Sequence, residues 1–539
     1  MEEFVAALKW VFWPEVTSAG KPGHFWARWV FLRALGLIYF SAFYSLLFQI
    51  EGLIGPDGIL PAADYLRAVS GAIHSERFFF APTLLWFGSS NHALMLLCWV
   101  GLIASLLVVL NVWPRATLAL CLVCFLSFVS AAQDFSSYQS DGMLMEAGFN
   151  ALFFATPGFW PGLGRGSAPS RLSRFLLQWE WFRIYFESGV GKLKSGDLSW
   201  RNFTAMDAYY QNGPLPTWIG WYVQHLPHWF HALAVFYTFA AELGLVWMMF
   251  LPRRFRIVCF LILTPFQISI ILTANYAFLN YIMLILGFLL LDDRFIEWIV
   301  PQRIREMVEG KSAQENAGTR KAMAESGFAR YWRMLGSARI AASSLCLALI
   351  FYATTVQLLW MFAPQLDLPR GPVERLEPFR IANRYGLFEV MTHARYEIEF
   401  QGSLDGKTWT AYPFRYKPQD TSKAPGIYAP YQPRFDWNLW FASLGTWHES
   451  HFVVWTEERL LKNNPYVLEL FAGNPFANSR PQLVRAVIYQ YWFTDMKGKR
   501  ETQQWWRREF LGDYAPELEL RPDGKVMEHY VPTAQQPEQ

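Results

Sequence analysis

Trp229-Phe-His-Ala-Leu-Ala-Val-Phe-Tyr-Thr-Phe-Ala-Ala-Glu-Leu-Gly-Leu-Val-Trp-Met-Met-Phe-Leu251 is a run of 23 residues with one carboxylate, and Pro252-Arg-Arg254 separates it from a second apolar run, Phe255–Thr273. A bilayer span needs about 20 mostly apolar residues, so both stretches read as transmembrane helices joined by a short basic loop. The same reading extends outward in both directions. Trp26–Gln49, Ala93–Trp113, Thr117–Ala132, Met143–Thr156 and Leu172–Lys192 precede this pair, and Ala277–Leu291 and Ile340–Phe362 follow it. Nine spans are predicted, give or take one, because Met143–Thr156 and Ala277–Leu291 are short. The first run is too long for a signal peptide and lacks a small-residue cleavage site after it.

The composition agrees. Of 539 residues, 53% are hydrophobic, 18% aromatic and only 17% charged, yet mean hydropathy is just +0.13. Soluble domains carry about 25% charged residues, so a membrane part is diluted here by a water-exposed part. Disorder, a collagen repeat and a disulfide scaffold each need a composition this chain lacks. A net charge of +3, with no basic domain and no nucleic-acid motif, gives no case for nucleic acid as a partner. The bilayer is the first partner implied.

Positive residues stay on the cytoplasmic side, and their placement orients the chain. With the N-terminus inside, the inner segments hold Arg115, Arg165, Arg171, Arg253 and Arg254, then eight Lys or Arg from Arg303 to Arg339. The outer segments hold only Arg67, Arg77, Lys194 and Arg201. The chain is therefore expected to divide into a transmembrane bundle over 1–300, a cytoplasmic linker over 301–338, a last transmembrane helix over 339–368 and an extracytoplasmic domain over 369–539. The fold class expected is a polytopic α-helical membrane protein with a C-terminal mixed α/β domain.

After Pro369 the pattern changes. Arg395–Phe400 alternates polar and apolar, Ser403-Leu-Asp-Gly406 supplies a turn, and Thr408–Tyr412 resumes, which is strand, turn, strand. Val484–Phe493 reads as a further strand. Phe435–Leu444 and Phe452–Leu470 read as helices, the second interrupted at Asn463-Asn464-Pro465. A β-sandwich-like core with helices against it is expected. Trp437, Trp440, Phe441, Trp505 and Trp506 sit among charges, and they read either as aromatics at headgroup depth or as a platform for another protein's apolar surface.

All five cysteines, Cys98, Cys121, Cys124, Cys259 and Cys346, fall in predicted spans, so the outer domain contains none. Cys121 and Cys124 share a helix face and read as inert thiols. Ionisable residues at membrane depth are Glu146, Glu180, Arg183, Glu187, Lys192 and Glu242. Such residues are rare and are usually paired or functional. Glu180, Arg183 and Glu187 share one helical stripe, so Arg183 could neutralise either carboxylate. Lys192, flanked by Gly189 and Gly191, either snorkels to the outer interface or is a desolvated general base. Glu146 and Glu242 each need a partner that sequence alone does not assign. His225, His228 and His231 are spaced like metal ligands, but Pro227 interrupts any helix that would align them. No metal site and no cofactor is expected, and there is no Walker loop, dinucleotide fingerprint or nucleophile elbow.

Several long strings carry a resemblance. They are Gln49-Ile-Glu-Gly-Leu-Ile-Gly-Pro-Asp-Gly-Ile-Leu-Pro61, Asp134–Gly148, Gln178-Trp-Glu-Trp-Phe-Arg183 through Asp197, Asn383-Arg-Tyr-Gly-Leu-Phe388, Glu399–Gly406, Pro433-Arg-Phe-Asp-Trp437, Asn474-Pro-Phe476 and Trp505-Trp-Arg-Arg508. With them the chain resembles the lipase maturation factor family, polytopic proteins that help secreted lipases reach their active form in the endoplasmic reticulum. The resemblance implies a maturation or chaperone role, a secreted lipase-like client and no known catalytic site. The Cys-free outer domain could not couple to oxidoreductases through its own thiols, and the Gln-Gln-Pro-Glu-Gln539 end, which is no retention signal, suggests a bacterial relative in the cytoplasmic membrane. A shorter string, Tyr185-Phe-Glu-Ser-Gly-Val-Gly-Lys192-Leu193, resembles the segment holding the catalytic lysine of the vitamin K-dependent γ-carboxylase family. It implies an alternative, a membrane enzyme with Lys192 as base and a lipid or quinone-like substrate.

Overall fold

The computed structural model of the chain describes residues 23–136, 138–310 and 329–532. The N-terminal 22 residues and the 311–328 part of the expected linker lie outside the described residues. The principal helices of the N-terminal half are α1 (Phe25–Leu47), α2 (Asn91–Val109), α3 (Pro114–Val129), α4 (Gln139–Phe154), α5 (Arg171–Lys194), α6 (His228–Phe239), α7 (Arg253–Thr273) and α8 (Leu279–Gly287). Ala329–Phe362 forms α9. Each predicted span therefore has a helix over it. By length and composition, five stretches are apolar enough to cross a membrane: α1, α2, His228–Phe250, α7 and the Ala338–Phe362 part of α9.

The departures have local causes. α5 bears Arg171, Arg174, Glu180, Arg183, Glu187, Lys192 and Lys194, and of these Arg183, Glu187 and Lys192 are paired inside the protein. The run after Trp229 is not one uniform helix. α6 passes into a π-helical turn over Ala240–Gly244 and then a 3₁₀ segment over Leu245–Phe250. A π turn inserts one residue into the helical ladder and rotates the side chains that follow. Glu242 sits in it.

The C-terminal half is built on one antiparallel sheet, not a sandwich. β1 (Arg395–Ser403), β2 (Thr410–Ala411), β3 (Leu483–Phe493), β4 (Trp506–Asp513), β5 (Glu517–Leu520) and β6 (Val526–Tyr530) form it in the order β2-β1-β3-β5-β6, with β4 also paired to β3. The hairpin read from 395–412 is present, with Gln401 opposite Ala411. Its turn is held by Asp405, whose carboxylate accepts from the N–H groups of Lys407 and Thr408 at 2.8 and 2.7 Å. Gly406 takes φ +69°, a backbone conformation that glycine adopts without strain. Helices α10 (Arg434–Ala442) and α11 (Phe452–Leu461) cover the sheet where a second sheet would otherwise lie.

Every residue of β1 is buried. Its alternation suggested one wet face, but Arg395, Glu397, Glu399 and Gln401 are covered as well. Arg395 reaches into the N-terminal half and donates to the carbonyls of Gln211 and Pro214, each at 3.0 Å. The two halves thus share a buried polar seam.

Candidate functional site

α5 carries the charges that organise the molecule. Ser170 caps its N-terminus by accepting from the Ser173 N–H at 3.2 Å. Over its last four turns Glu180, Arg183, Glu187, Ser188 and Lys192 are all buried. A buried charge is tolerated only when it is paired and hydrogen-bonded, so the partners decide what this helix does. Arg183 pairs with Glu146 of α4 and donates to the Asn383 carbonyl at 2.6 Å. Glu187 lies 3.9 Å from Arg183 and accepts from the Tyr385 N–H at 2.7 Å. Tyr385 Oη donates to Glu146 at 2.9 Å, and Ser188 Oγ accepts from the Leu387 N–H at 3.1 Å. The segment Asn383–Leu387 is therefore laced along α4 and α5 by alternate contacts with their charges.

Lys192 ends the series. Its Nζ donates to Glu242 Oε1 and Oε2 at 2.9 and 3.0 Å and to the Leu387 carbonyl at 2.8 Å. The lysine is buried, and its ammonium is turned inward to Glu242 and Leu387. The ammonium is held by the Glu242 carboxylate and the Leu387 carbonyl, whereas a general base needs a lone pair directed at substrate. The geometry makes Lys192 a donor in a buried ion pair. Its flanking glycines have a packing role. A Cβ at Gly189 would meet Leu243 Cδ2 at 2.8 Å and Glu242 Cβ at 2.9 Å, so only glycine lets the π turn approach α5 this closely.

The same series bears out one half of the stripe read from sequence, since Arg183 lies 3.9 Å from Glu187, and corrects the other. Arg183 serves Glu146 on the neighbouring helix rather than Glu180 on its own. Glu180 is fully buried and forms no ion pair among the described residues.

A cavity of about 510 Å³ lies between α5, α6, α7 and α8. Lys192, Glu242 and Ser188 line one end, and the remaining wall is mostly apolar and aromatic. A second cleft, of about 610 Å³, lies where the halves meet and is lined by Tyr138, Tyr276, Phe388, Trp437, Trp440 and Phe441.

Two family profiles match the chain. The one described as the lipase maturation factor transmembrane domain covers residues 26–298, and the one described as the lipase maturation factor C-terminal domain covers residues 381–516. The chain belongs to the lipase maturation factor family. It is 30% identical to lipase maturation factor 1 of Bos taurus over 92% of this chain and 90% of that protein. It is 31% identical to lipase maturation factor 2 of Gallus gallus over 93% of this chain and 83% of that protein. Against lipase maturation factor 1 of Homo sapiens the identity is 30%, over 94% and 91%. No solved structure matches.

In this member of the family the strings that carry the resemblance are one another's contacts. Arg434 of the Pro433–Trp437 string makes a two-pronged pair with Asp141 of the Asp134–Gly148 string, each bond 2.8 Å. The Arg434 N–H donates to Gln49 Oε1 at 2.8 Å, and Gln49 Nε2 returns a bond to the Gln432 carbonyl at 3.0 Å. Asn383 joins the Gly142 carbonyl at 3.0 Å. The two matched regions of this chain are therefore held together by buried hydrogen bonds, of which the Arg434–Asp141 pair is charge-assisted and so roughly twice as strong as a neutral bond. Reasoning from sequence missed Asn383, Tyr385 and Gln49 as partners, although all three stood in the recognised strings.

The aromatic platform is corrected in part. Trp437, Trp440 and Trp506 are buried and Trp505 is half-buried; Phe441 alone is 47% exposed. Trp440 Nε1 donates to the Asn212 carbonyl at 3.0 Å, Trp437 packs on Tyr138 and Tyr276, and the Arg395 guanidinium lies over Trp506. These rings are seam residues; Trp437, Trp440 and Phe441 also border the cleft.

The histidines do not converge. His225 bonds to the carbonyls of Trp221 and Thr494, His228 to Asp207, and His231 is buried against Tyr210. Among the described residues no three His, Cys, Asp or Glu are placed to hold a metal ion. All five cysteines are free thiols.

Proposed function

We propose that this integral membrane protein assists the folding, assembly or maturation of a secreted lipase-like enzyme, without chemistry of its own. The observation that carries this reading is the match to lipase maturation factors 1 and 2 across both domains and over 90% of the chain. The N-terminus faces the cytoplasm and residues 369–539 lie on the opposite side, as the Lys and Arg bias favours. α1 to α9 make the nine spans, with the linker inside. α4 and α5 count as spans because Glu146, Arg183, Glu187 and Lys192 are paired within the protein, the arrangement in which such groups occur at membrane depth. The compartment is the endoplasmic reticulum membrane for the family's animal members and the cytoplasmic membrane for a bacterial one.

The client is engaged at the cleft between the halves. Its floor is aromatic, and exposed Phe441 and Val390 stand at its mouth. Glu389 and Glu449 also line it, and no Lys or Arg does. Such a rim suits an apolar segment of a folding intermediate bearing basic residues.

The experiment is deletion of the gene followed by assay of exported lipases for activity per unit of antigen. Specific activity is expected to fall while antigen persists, and to return with the intact gene but not with Phe441→Asp/Val390→Asp. Exported lipases of full specific activity in the deletion strain would overturn the reading. Reporter fusions at 311–328 and after 532 test the orientation.

A further inference from the structure

The cavity beside Lys192 and Glu242 takes no part in the function proposed above. Its volume, about 510 Å³, falls in the range of small-molecule sites. Leu233 and Phe236 line it, yet they are 55% and 60% exposed on His228–Phe250, a helix fit to cross the membrane. On the opposite side of the mouth stand Ser269, which is exposed, and Ile270 of α7. The cavity therefore opens sideways, toward hydrocarbon rather than toward water. Whatever enters it comes from the bilayer.

The inner end is polar but electrically balanced. The Lys192 ammonium is directed at the Glu242 carboxylate and the Leu387 carbonyl, so its charge is balanced within the protein rather than offered to an anionic headgroup. The Glu242 oxygens keep lone pairs, since a carboxylate offers about four acceptor sites. An anion would face this carboxylate, and a cation would face the ammonium. A neutral hydroxyl can donate to Glu242 at no electrostatic cost. The π turn that places Glu242 here points the same way, because such insertions occur frequently at functional sites.

We propose that this cavity binds an uncharged amphiphile from the membrane, a single acyl chain ending in hydroxyls, with the chain along α6 and α7 and the hydroxyl on Glu242. The site adjoins the cleft between the halves, with which it shares Leu279, Leu387 and Phe388.

The test uses the full chain in phosphatidylcholine nanodiscs and 1-monooleoylglycerol carrying a photoreactive diazirine in its chain. Cross-links are expected on peptides containing Leu233, Phe236 or Ile270. Unlabelled 1-monooleoylglycerol is expected to compete at least about tenfold better than oleate, a difference of about 1.4 kcal/mol. Ile270→Trp, which fills the cavity from a half-buried position, is expected to reduce labelling about tenfold, the same scale of affinity loss. Glu242→Gln removes the balancing charge and is expected to reverse the preference toward oleate; should that variant fail to fold, Ile270→Trp decides alone. Labelling that Ile270→Trp leaves unchanged, equal competition by oleate, or cross-links confined to other helices would each overturn the proposal.

Discussion

Lys192 and Glu242, fifty residues apart in sequence, form a buried ion pair in which Nζ stands 2.9 and 3.0 Å from the two carboxylate oxygens. Removing one member of a buried pair leaves an uncompensated charge and costs about 3–5 kcal/mol, whereas replacing both with apolar groups is often neutral. Lys192→Met alone should therefore lower the melting temperature of the detergent-solubilised protein sharply. The double variant Lys192→Met/Glu242→Leu should regain most of that loss. A double variant no more stable than either single one would show that the two groups are not coupled.

Tyr385 and Asn383 bind the Glu146 carboxylate from a segment more than 230 residues away. Tyr385→Phe deletes one hydrogen bond to a buried charge, worth about 1.5–3 kcal/mol. Asn383→Ala deletes the side-chain bonds to Gly142, Glu146 and Arg380 and should weaken docking of the C-terminal domain more. Limited proteolysis reads this directly, as faster cleavage in the 363–395 connection in the order Asn383→Ala, Tyr385→Phe, wild type. Equal cleavage rates would remove this segment from the seam.

The apolar runs were legible because length and hydrophobicity act locally, and α7 and the hairpin at 395–412 follow directly from such patterns. Pairings across space were not. For Arg183, the helix rows at i−3 and i+4 offered Glu180 and Glu187, and nothing in the chain announces that α4 packs alongside and presents Glu146 first. Trp437 and Trp440 read as surface residues because Arg434 and Asp436 surround them, yet Arg434 is itself buried by its pair with Asp141. Period-two alternation in β1 identified a strand correctly, but it says nothing of a polar face being covered by another part of the chain. The recognised strings held more than they disclosed, since their meaning lay in contact with one another.

Gly189 and Gly191 flank the same lysine but should respond differently to alanine. At Gly189 the added Cβ meets Glu242 Cβ and Leu243, atoms fixed by the π turn. At Gly191 it meets the tip of the Glu389 side chain, which can swing aside. Overpacking against fixed neighbours costs about 1–3 kcal/mol, so Gly189→Ala should destabilise and Gly191→Ala should do so much less. Thermal unfolding of the two variants checks the order; the reverse order would mean that Glu389 is the more rigid neighbour.

Asp436 gives the C-terminal domain a pH dependence whose sign is opposite to that of most carboxylates. Burial, with Glu397 nearby, pushes its carboxyl up from 3.8 to about 6, against the N–H groups of Tyr416 and Lys417 and the Lys417 ammonium. The folded state therefore holds a proton between pH 3.8 and about 6 that the unfolded chain has released. Stability from this group is full below 3.8 and is lost as pH rises through about 6. Asp436→Asn keeps an oxygen for the Tyr416 and Lys417 N–H groups while abolishing the titration. Melted at about pH 7.5, the Asn variant should be the more stable protein, and the gap should narrow as pH falls through about 6 and close only near 3.8, where the unfolded chain takes up its proton as well. The difference between the two proteins isolates this group from all others that titrate. A gap independent of pH would show that Asp436 is charged throughout and held by Lys417.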